Sequence, residues 1–253
     1  MNHFAVDLSG DVALVAGASS GLGRRFAMIL ASAGASVAVA GRRADRVRQV
    51  VSEIEDAGSR AIGVDLDVRQ HSSIVAAVDN VTAELGTPTI LVNNAGVPDA
   101  QRAHKVSVDL ADCVLGTNLR GPWLLATEVA RRLIDAGVPG RIVNTSSMSA
   151  FQYQGEGAAL YSVSKAAVNR MTEVLAVEWA QFGINVNAIA PGAFSSEMMD
   201  GMIARLGDIS RGFPRKRLGE PAQLDSALLF LVAPASEFVT GTIIRVDDGQ
   251  NPR

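Results

Sequence analysis

The chain has 253 residues, of which 48% are apolar and 24 are glycine, a composition that suits a folded α/β domain and argues against disorder. With 23 basic and 26 acidic residues its formal net charge is −3, so we expect a small-molecule partner, with neither nucleic acid nor a membrane. The single cysteine, Cys113, excludes an intrachain disulfide and a cysteine-based zinc site.

Targeting and metal signals are also missing from the sequence. No run of about 18 apolar residues occurs, and the opening "MNHFAVDLSG" lacks the basic and apolar regions of a signal peptide. We therefore expect a cytoplasmic protein. The histidines His3, His71 and His104 share no ligand spacing, so no metal site is expected.

Short β-rich runs alternate with longer helical patterns along the whole chain. Seven segments have the strand pattern, at 12–17, 36–41, 61–68, 89–96, 141–147, 184–192 and 241–249. The first three intervening helical patterns end at Gly34, Gly58 and Gly86. This alternation has no break in composition, so it predicts a single α/β domain over 1–253. We expect a Rossmann-type, doubly wound parallel β-sheet of about seven strands with helices on both faces.

Segment 190–221 is an exception to the alternation. It is rich in Gly, Met and Arg and has only weak apolar periodicity. We interpret it as an excursion above the carboxyl edge of the sheet, with a substrate lid at 193–216. The alternative is a surface loop that carries a short helix.

The first predicted strand leads directly into "GASSGLG", which places Gly17, Gly21 and Gly23 ahead of a helix. Glycine lets a backbone turn sharply and approach a ligand closely, and a helix N-terminus offers free N–H groups and a positive dipole to a pyrophosphate. The spacing differs from G-x-G-x-x-G, but its position between the first strand and the first helix predicts dinucleotide binding.

The end of the second predicted strand indicates which dinucleotide binds. An acidic residue usually meets the ribose 2′-OH of NAD(H) at this point, about 20 residues beyond the glycines. Here Gly41 is followed by Arg42 and Arg43, whose guanidinium groups suit a 2′-phosphate. We therefore expect NADP(H) as the preferred cofactor and NAD(H) as the alternative. The other interpretation is that both arginines are the solvated start of a helix.

The sequence "YSVSK" places Tyr161 and Lys165 four residues apart in a helical pattern. Residues at this spacing lie on adjacent turns, so the ammonium group can act on the phenol and on a bound cofactor. Lowering a tyrosine pKa from 10 to 7 takes about 4 kcal/mol, of which a nearby cation supplies part. By itself this spacing is common and mostly inert.

Taken together, the motifs resemble those of the classical short-chain dehydrogenase/reductase family over essentially the whole chain. In family order, these are "GASSGLG", "NNAG" at 93–96, "NLRG" with Asn118, "SS" at 146–147, "YSVSK", and "PG" at 191–192. The resemblance implies an NAD(P)-dependent oxidoreductase that transfers a hydride between nicotinamide and a secondary alcohol or ketone.

The resemblance also assigns a role to each matching residue. Tyr161 would be the general acid/base, Ser147 would hydrogen-bond the reacting oxygen, and Asn118 would hold a water of the proton relay. Lys165 would hold the nicotinamide ribose and lower the pKa of the tyrosine. The residues implied at the cofactor are Gly17, Ser19, Ser20, Gly21, Leu22, Gly23, Arg42, Arg43, Asp67, Val68, Asn94, Ala95, Gly96, Tyr161, Lys165, Pro191, Gly192, Phe194 and Ser196.

The chain departs from the family pattern at three places. Ala16 stands where Thr is usual, which removes a hydrogen bond that braces the glycine turn. Ser147 precedes Tyr161 by one residue more than in many members, so Ser146 and Ser149 remain alternatives for its role. "VDDGQ" at 246–250 replaces the usual "VDGG", which we expect to alter a subunit contact rather than the chemistry.

The substrate is indicated only by the loops 148–157 and 193–199, which should flank the pocket. They supply Ser149, Phe151, Tyr153 and Met198, with Gln152 and Gln154 as polar contacts, and favour an apolar or cyclic substrate. The equal alternative is that the apolar side chains pack the lid on the core. Basic residues of the lid, Arg211, Arg215, Lys216 and Arg217, could instead meet an acidic substrate.

Three other functions share part of this sequence pattern. One is a 3-oxoacyl thioester reductase of the same family, and another is a non-catalytic NADP(H)-sensing protein, which would have no need of Ser147, Tyr161 and Lys165 together. A sugar-nucleotide epimerase is disfavoured by the glycine spacing. The resemblance also implies a homotetramer, or a homodimer, built on helices around 112–136 and 157–181.

Overall fold

The computed structural model describes residues 6–153, 155 and 157–251. Within this part of the chain seven strands form one sheet, β1 Val12–Ala16, β2 Ser36–Gly41, β3 Ala61–Asp65, β4 Ile90–Asn93, β5 Gly140–Thr145, β6 Ile184–Pro191 and β7 Ile243–Val246. All neighbouring strands are parallel, in the order β3-β2-β1-β4-β5-β6-β7. The predicted fold class is confirmed, with six of the seven strands ending one to three residues earlier than the patterns suggested.

Eight α-helices lie between or after the strands in the same described residues. They are α1 Gly21–Ser32, α2 Ala44–Asp56, α3 His71–Glu84, α4 Val108–Leu115, α5 Gly121–Ala136, α6 Ala159–Trp179, α7 Glu197–Leu206 and α8 Asp225–Val232. A π-helical segment, Gly116–Arg120, joins α4 to α5 without a break in the helix.

The sheet is covered on both faces, because alternate residues of each strand enter separate cores. In β1, Leu14 contributes to the core under α3, α5 and α6, whereas Val15 contributes to the core under α1, α2 and α8. Phe26 of α1 and Leu125 of α5 are fully buried on these two opposite sides.

The strand order reverses between β1 and β4, because the chain first builds outward through β2 and β3 and then returns to the other side of β1. In parallel sheets a crevice opens at such a switch point beyond the carboxyl ends of the strands. The predicted motifs after β1 and β4 therefore meet at one edge.

Segment 190–221 forms helix α7 and a short 3-10 helix, Ile209–Gly212. Phe194 makes a single β-bridge with Gly219, which closes the segment at its base. The weak periodicity of the sequence has a physical reason, since α7 has no buried residue and needs no continuous apolar face. The lid at 193–216 stays a prediction.

Candidate active site

The turn after β1 accepts only glycine at two of its positions. Gly17 has a φ of 75°, and a Cβ there would lie 2.8 Å from the backbone of Ala95. A Cβ on Gly23 would lie 2.2 Å from the Gly17 carbonyl oxygen. The turn is therefore pressed against the loop after β4, while a Cβ at Gly21, which has a φ of 54°, would lie 3.5 Å from Ser196 Cβ.

Helix α1 presents its N-terminus to the crevice. Ser20 is the N-cap, but its side chain makes no capping hydrogen bond, and the first turn has no acidic residue. The free N–H groups and the helix dipole thus favour an anion. Ser19 accepts hydrogen bonds from the Arg43 side chain at 3.0 and 3.2 Å, and Leu22 anchors the turn on the core.

The loop after β4 joins the glycine turn to the catalytic side of the crevice. Asn94 donates from Nδ2 to the Gly17 carbonyl at 3.1 Å. Two residues on, a Cβ at Gly96 would lie 3.5 Å from Asn118 Oδ1 and 3.6 Å from Lys165 Nζ. Gly96 therefore leaves the space between these polar atoms open.

The predicted adenosine end lies beyond β2 and β3. Arg42 and Arg43 are both exposed at the end of β2. The Asp67 carboxylate accepts hydrogen bonds from Arg69, which lower the pKa of Asp67 below its ordinary value. Val68 is buried against Gly121, where an added Cβ would lie 2.8 Å from Val68.

These residues fit a dinucleotide. The glycines leave a backbone cradle that a Cβ would fill, the α1 N-terminus can accept a pyrophosphate, and cationic side chains lie at both ends of the crevice. Lys165 would lie at the nicotinamide ribose and Arg42 and Arg43 at the adenosine ribose.

Tyr161 lies in the first turn of α6, and the Ser147 side chain interacts with its phenol and acts to lower its pKa. Of the two alternative serines, Ser146 has its hydroxyl engaged elsewhere. Ser146 is buried and donates to Asn169 Oδ1 at 2.5 Å, and its hydroxyl also lies 3.3 Å from the Lys165 carbonyl. Ser149 contributes its backbone N–H to Ser147 Oγ at 3.1 Å. The geometry therefore favours Ser147.

Lys165 is buried beneath the tyrosine. Its Nζ lies 5.7 Å from the centre of the Tyr161 ring and donates to the Thr145 carbonyl at 2.7 Å. Burial lowers the pKa of Lys165 from 10.5 to about 8, because the charged form loses its hydration.

The pKa of Tyr161 differs from the expectation that Lys165 lowers it. Burial raises the pKa of Tyr161, the hydrogen bond with Ser147 opposes the rise, and the negative charge of Asp99 adds to it. Burial also lowers the pKa of Lys165, which disfavours its charged form, and its ammonium donates to the Thr145 carbonyl. The phenol therefore holds its proton at neutral pH.

Asn118 is fully buried in the π-helical segment between α4 and α5. Its Oδ1 accepts from the Val97 N–H at 2.8 Å, and its Nδ2 donates to the Val97 carbonyl at 2.9 Å and to Ser164 at 3.2 Å. The π-turn thus aims the amide at the loop after β4 and fixes this loop to α6.

A family model described as short chain dehydrogenase matches residues 11–206. The chain belongs to this family. Its members are dehydrogenases, so the protein is an oxidoreductase, as the sequence motifs indicated.

Known relatives of this short-chain dehydrogenase match nearly its whole length. The 2-dehydro-3-deoxy-D-gluconate 5-dehydrogenase of Dickeya dadantii is 35% identical over 246 residues, 96% of each chain. The cis-4-hydroxycyclohexanecarboxylate dehydrogenase of Sinomonas cyclohexanicum is 36% identical over 240 residues, covering 94% of this chain and 95% of its own. A crystal structure of a gluconate 5-dehydrogenase from Burkholderia cenocepacia J2315, in complex with NADP and tartrate, has a TM-score of 0.90 at 32% identity, with 96% of each chain covered.

The residues after β6 are predicted to contact the cofactor of this short-chain dehydrogenase. In the structure several of them pack against, or form hydrogen bonds with, other parts of the chain. Pro191 ends β6, and Gly192 packs so tightly that a Cβ would lie 2.4 Å from Gln250 Oε1. The buried ring of Phe194 lies against Gly219, and Ser196 caps α7 by accepting from the Met199 N–H at 3.2 Å. Pro191, Gly192 and Ser196 remain at the carboxyl edge, whereas Phe194 faces the base of the excursion.

The predicted substrate residues are only partly brought together. Ser149 is beside Ser147, but Phe151, Tyr153 and Met198 are all exposed. The ring of Phe151 lies 3.8 Å from the Arg245 guanidinium carbon, in cation–π geometry. Gln154 lies outside the described residues.

Three arginines of the excursion are paired with carboxylates. Arg215 and Arg217 lie 3.3 and 2.8 Å from the carboxylate of Asp248, and Arg211 lies 3.3 Å from Asp208. Asp248 is the extra acid of "VDDGQ", so this departure holds the excursion to the C-terminal strand in this chain.

Two acidic residues near the site were not predicted. Asp99 is buried, and its carboxylate accepts from the Leu160 N–H at the start of α6 and from the Ala100 N–H, each at 3.0 Å. Glu197 pairs with Arg43 and Arg46. Neither acid had a usable signal, because Leu160, to which Asp99 is bonded, and the two arginines that pair with Glu197 are far away in the sequence.

The described residues contain no cluster of three or more His, Cys, Asp or Glu side chains placed to hold a metal ion. Among the described helices, none has both the length and the apolar character needed to cross a lipid bilayer.

Proposed function

We propose that this short-chain dehydrogenase uses Tyr161, Ser147, Lys165 and Asn118 to reduce a ketone or oxidise a secondary alcohol, with NADP(H) as the preferred cofactor. One observation carries the proposal. The phenol of Tyr161 interacts with the Ser147 side chain and lies above Lys165, next to the open space at Gly96.

The proposed chemistry divides between cofactor and protein. When bound, the nicotinamide supplies a hydride to the carbonyl carbon or accepts one from the alcohol. Tyr161 gives the phenolic proton to the carbonyl oxygen in reduction and takes it back in oxidation. Ser147 holds that oxygen beside the phenol, so the two reacting carbons meet in one orientation.

Lys165 and Asn118 support this step from behind the phenol. The ammonium of Lys165 would bind the nicotinamide ribose, for which Gly96 leaves space. Asn118 keeps the loop after β4 fixed to α6 and would hold a water through which a new proton reaches Tyr161.

The preference for NADP(H) rests on charge. Arg42 and Arg43 stand where an acid would meet the ribose of NAD(H), and a guanidinium fork suits a 2′-phosphate. The gluconate 5-dehydrogenase of similar fold was crystallised in complex with NADP, which supports the same preference. NAD(H) is the alternative.

The substrate is proposed to be an apolar or cyclic alcohol or ketone. Phe151, Tyr153 and Met198 expose apolar surface, and one relative is named for a hydroxycyclohexanecarboxylate. Other relatives are named for gluconates, which makes polar sugar acids the competing class. A 3-oxoacyl thioester remains the alternative within the family.

A screen of ketones and secondary alcohols with both cofactors tests this proposal. We expect turnover with cyclic substrates and a higher kcat/KM with NADPH than with NADH. Exclusive turnover of a small sugar acid would contradict the substrate class. Binding of NADPH without turnover of any carbonyl compound would favour a non-catalytic sensor instead.

A cytoplasmic location stays a prediction. Assembly as a homotetramer is proposed through α4, α5 and α6, with a homodimer as the alternative. Large apolar side chains exposed on these helices support this interface, among them Trp123, Val163 and Val177.

A further inference from the structure

Glu197 is the first residue of α7, and its carboxylate reaches back across the crevice to the adenosine end. It accepts from Arg43 Nη1 at 2.8 Å, pairs with Arg46, and accepts from Ser20 Oγ at 3.3 Å. The excursion that carries α7 is thus tied to the glycine turn and to α2.

The three groups that hold Glu197 are the groups that a phosphate would use. Arg43 also donates to Ser20 Oγ at 2.6 Å and to Ser19, so its guanidinium is fixed over the glycine turn. A cleft of about 320 Å³ opens here, and its walls include Ser20, Arg46 and Glu197. Hydrogen bonds from Arg43 and then Arg46 lower the pKa of Glu197, which keeps the carboxylate ionised.

We propose that Glu197 is a cofactor-specificity residue that stands in for the ribose 2′-phosphate on Arg43 and Arg46, so that NADP(H), but not NAD(H), must displace it. This inference rests on the proposed adenosine site at Arg42 and Arg43. A phosphate monoester carries a charge of about −1.5 to −2 at pH 7 and takes hydrogen bonds from the same arginine forks. It cannot share them with a carboxylate a few ångströms away, whereas the uncharged 2′-OH of NAD(H) imposes no such conflict.

Displacement has a consequence for the excursion. The contacts of Glu197 with Arg43, Arg46 and Ser20 tie the N-terminus of α7 to the glycine turn, and α7 has no buried residue of its own. Binding of a 2′-phosphate therefore frees α7 at its N-terminus.

The test compares two nucleotides that lack nicotinamide, adenosine 2′,5′-bisphosphate and adenosine 5′-monophosphate, by calorimetry at low salt. Glu197→Gln removes the competing charge, and we expect it to tighten the bisphosphate roughly 3- to 10-fold, the range for one or two exposed ion pairs. The monophosphate should bind as it does to the unchanged protein.

Asp200→Asn is the matched control. Asp200 is exposed on α7 one turn further on and lines the same cleft, so the substitution removes the same charge from the same surface. Equal tightening of the bisphosphate by Asp200→Asn and Glu197→Gln would overturn the inference, because only the net charge would then matter.

Hydrogen exchange of 197–206 gives a second readout. The bisphosphate should speed exchange there in the unchanged protein, the monophosphate should not, and Glu197→Gln should exchange fast without any nucleotide. Slower exchange with the bisphosphate would overturn the inference.

Failure of the cofactor proposal has a different signature. If Arg43→Ala weakens neither nucleotide and the unchanged protein binds both equally, the 2′-phosphate site itself is wrong, and the role of Glu197 with it. If Arg43→Ala weakens only the bisphosphate while Glu197→Gln changes nothing, the site stands and the role of Glu197 is wrong.

Discussion

Tyr161 has a raised pKa, so it is protonated at neutral pH, as the acid role proposed for it in carbonyl reduction requires. Oxidation needs the phenolate, whose population grows as the pH rises toward that raised value. We predict that kcat for alcohol oxidation increases with pH above neutrality, while kcat for reduction falls only at alkaline pH. Steady-state measurements of kcat for oxidation and for reduction over a pH series check this prediction. An optimum for oxidation below neutral pH would contradict it.

Lys165 illustrates a conflict between function and stability at a single residue. Its pKa falls from 10.5 in water to about 8 in the fold, so the unfolded chain binds the proton more tightly. Burying the charged form therefore costs about 3 kcal/mol below pH 8, and the cost disappears as the pH rises toward 10.5.

Replacing this lysine by an apolar side chain of similar length should relieve that cost. We predict that Lys165→Met has a free energy of unfolding about 2 kcal/mol higher than the parent at pH 7, after allowance for the lost hydrogen bond to Thr145, and so unfolds at a higher temperature. The same variant should have almost no turnover. Calorimetry at pH 7 and pH 10 measures both ends of the window. A variant less stable than the parent at pH 7 would refute the cost assigned to the buried charge.

The sequence could predict which residues meet at this site but not how each one titrates. The spacing of Tyr161 and Lys165 places them on one helix face whatever else the fold does. The upward shift of the tyrosine pKa depends instead on burial and on Asp99, which is 62 positions away from Tyr161 in the chain. Such long-range partners leave no local pattern.

At the scale of elements, the glycine turn between β1 and α1 is the most constrained piece of the site. A Cβ on Gly23 would lie 2.2 Å from a backbone oxygen, which no side-chain movement can relieve. We predict that Gly23→Ala folds with reduced stability and loses most of its affinity for NADPH in a fluorescence titration.

Gly201→Ala in α7 is the control for that substitution. A Cβ there meets nothing within 4 Å, so alanine should stabilise the exposed helix by about 0.5–1 kcal/mol and leave affinity for the cofactor intact. Equal affinities of the two variants for NADPH would show that the turn does not contact the cofactor.

The helices and strands differ in how far the local sequence determines their structure. Buried strands and the amphipathic helix α2 are predictable, because each carries a strong apolar pattern that its packing requires. Helix α7 and the π-turn at Asn118 are not predictable in this way, since α7 buries no residue and the π-turn is a local departure within a helix.

At the scale of the molecule, the outer faces of α5 and α6 are more apolar than a monomer needs. Trp123, Val163 and Val177 are 43%, 61% and 81% exposed. We predict that these side chains are covered in a homotetramer, so sedimentation should give about four times the chain mass. Val177→Glu should shift the sedimenting mass toward smaller species. A monomeric mass at micromolar concentration would contradict this prediction.

The fold as a whole brings the dispersed motifs to one edge. Alternating strands and helices fix the parallel sheet, and the strand order then fixes the switch point where the turns after β1 and β4 meet. Chain topology therefore accounts for why residues as far apart as Gly17, Asn94 and Lys165 share one crevice. It does not decide the substrate, because most of the residues predicted to bind it, Phe151, Tyr153 and Met198, are exposed.

The central claim is that Tyr161 transfers the proton while the rest of the crevice binds the cofactor. Its most direct test is Tyr161→Phe, assayed through the absorbance of the nicotinamide during turnover and through a separate titration with NADPH. We predict unchanged affinity for NADPH and a loss of turnover of at least about 100-fold, as expected for removal of a general acid. Turnover close to that of the unchanged enzyme would contradict the account.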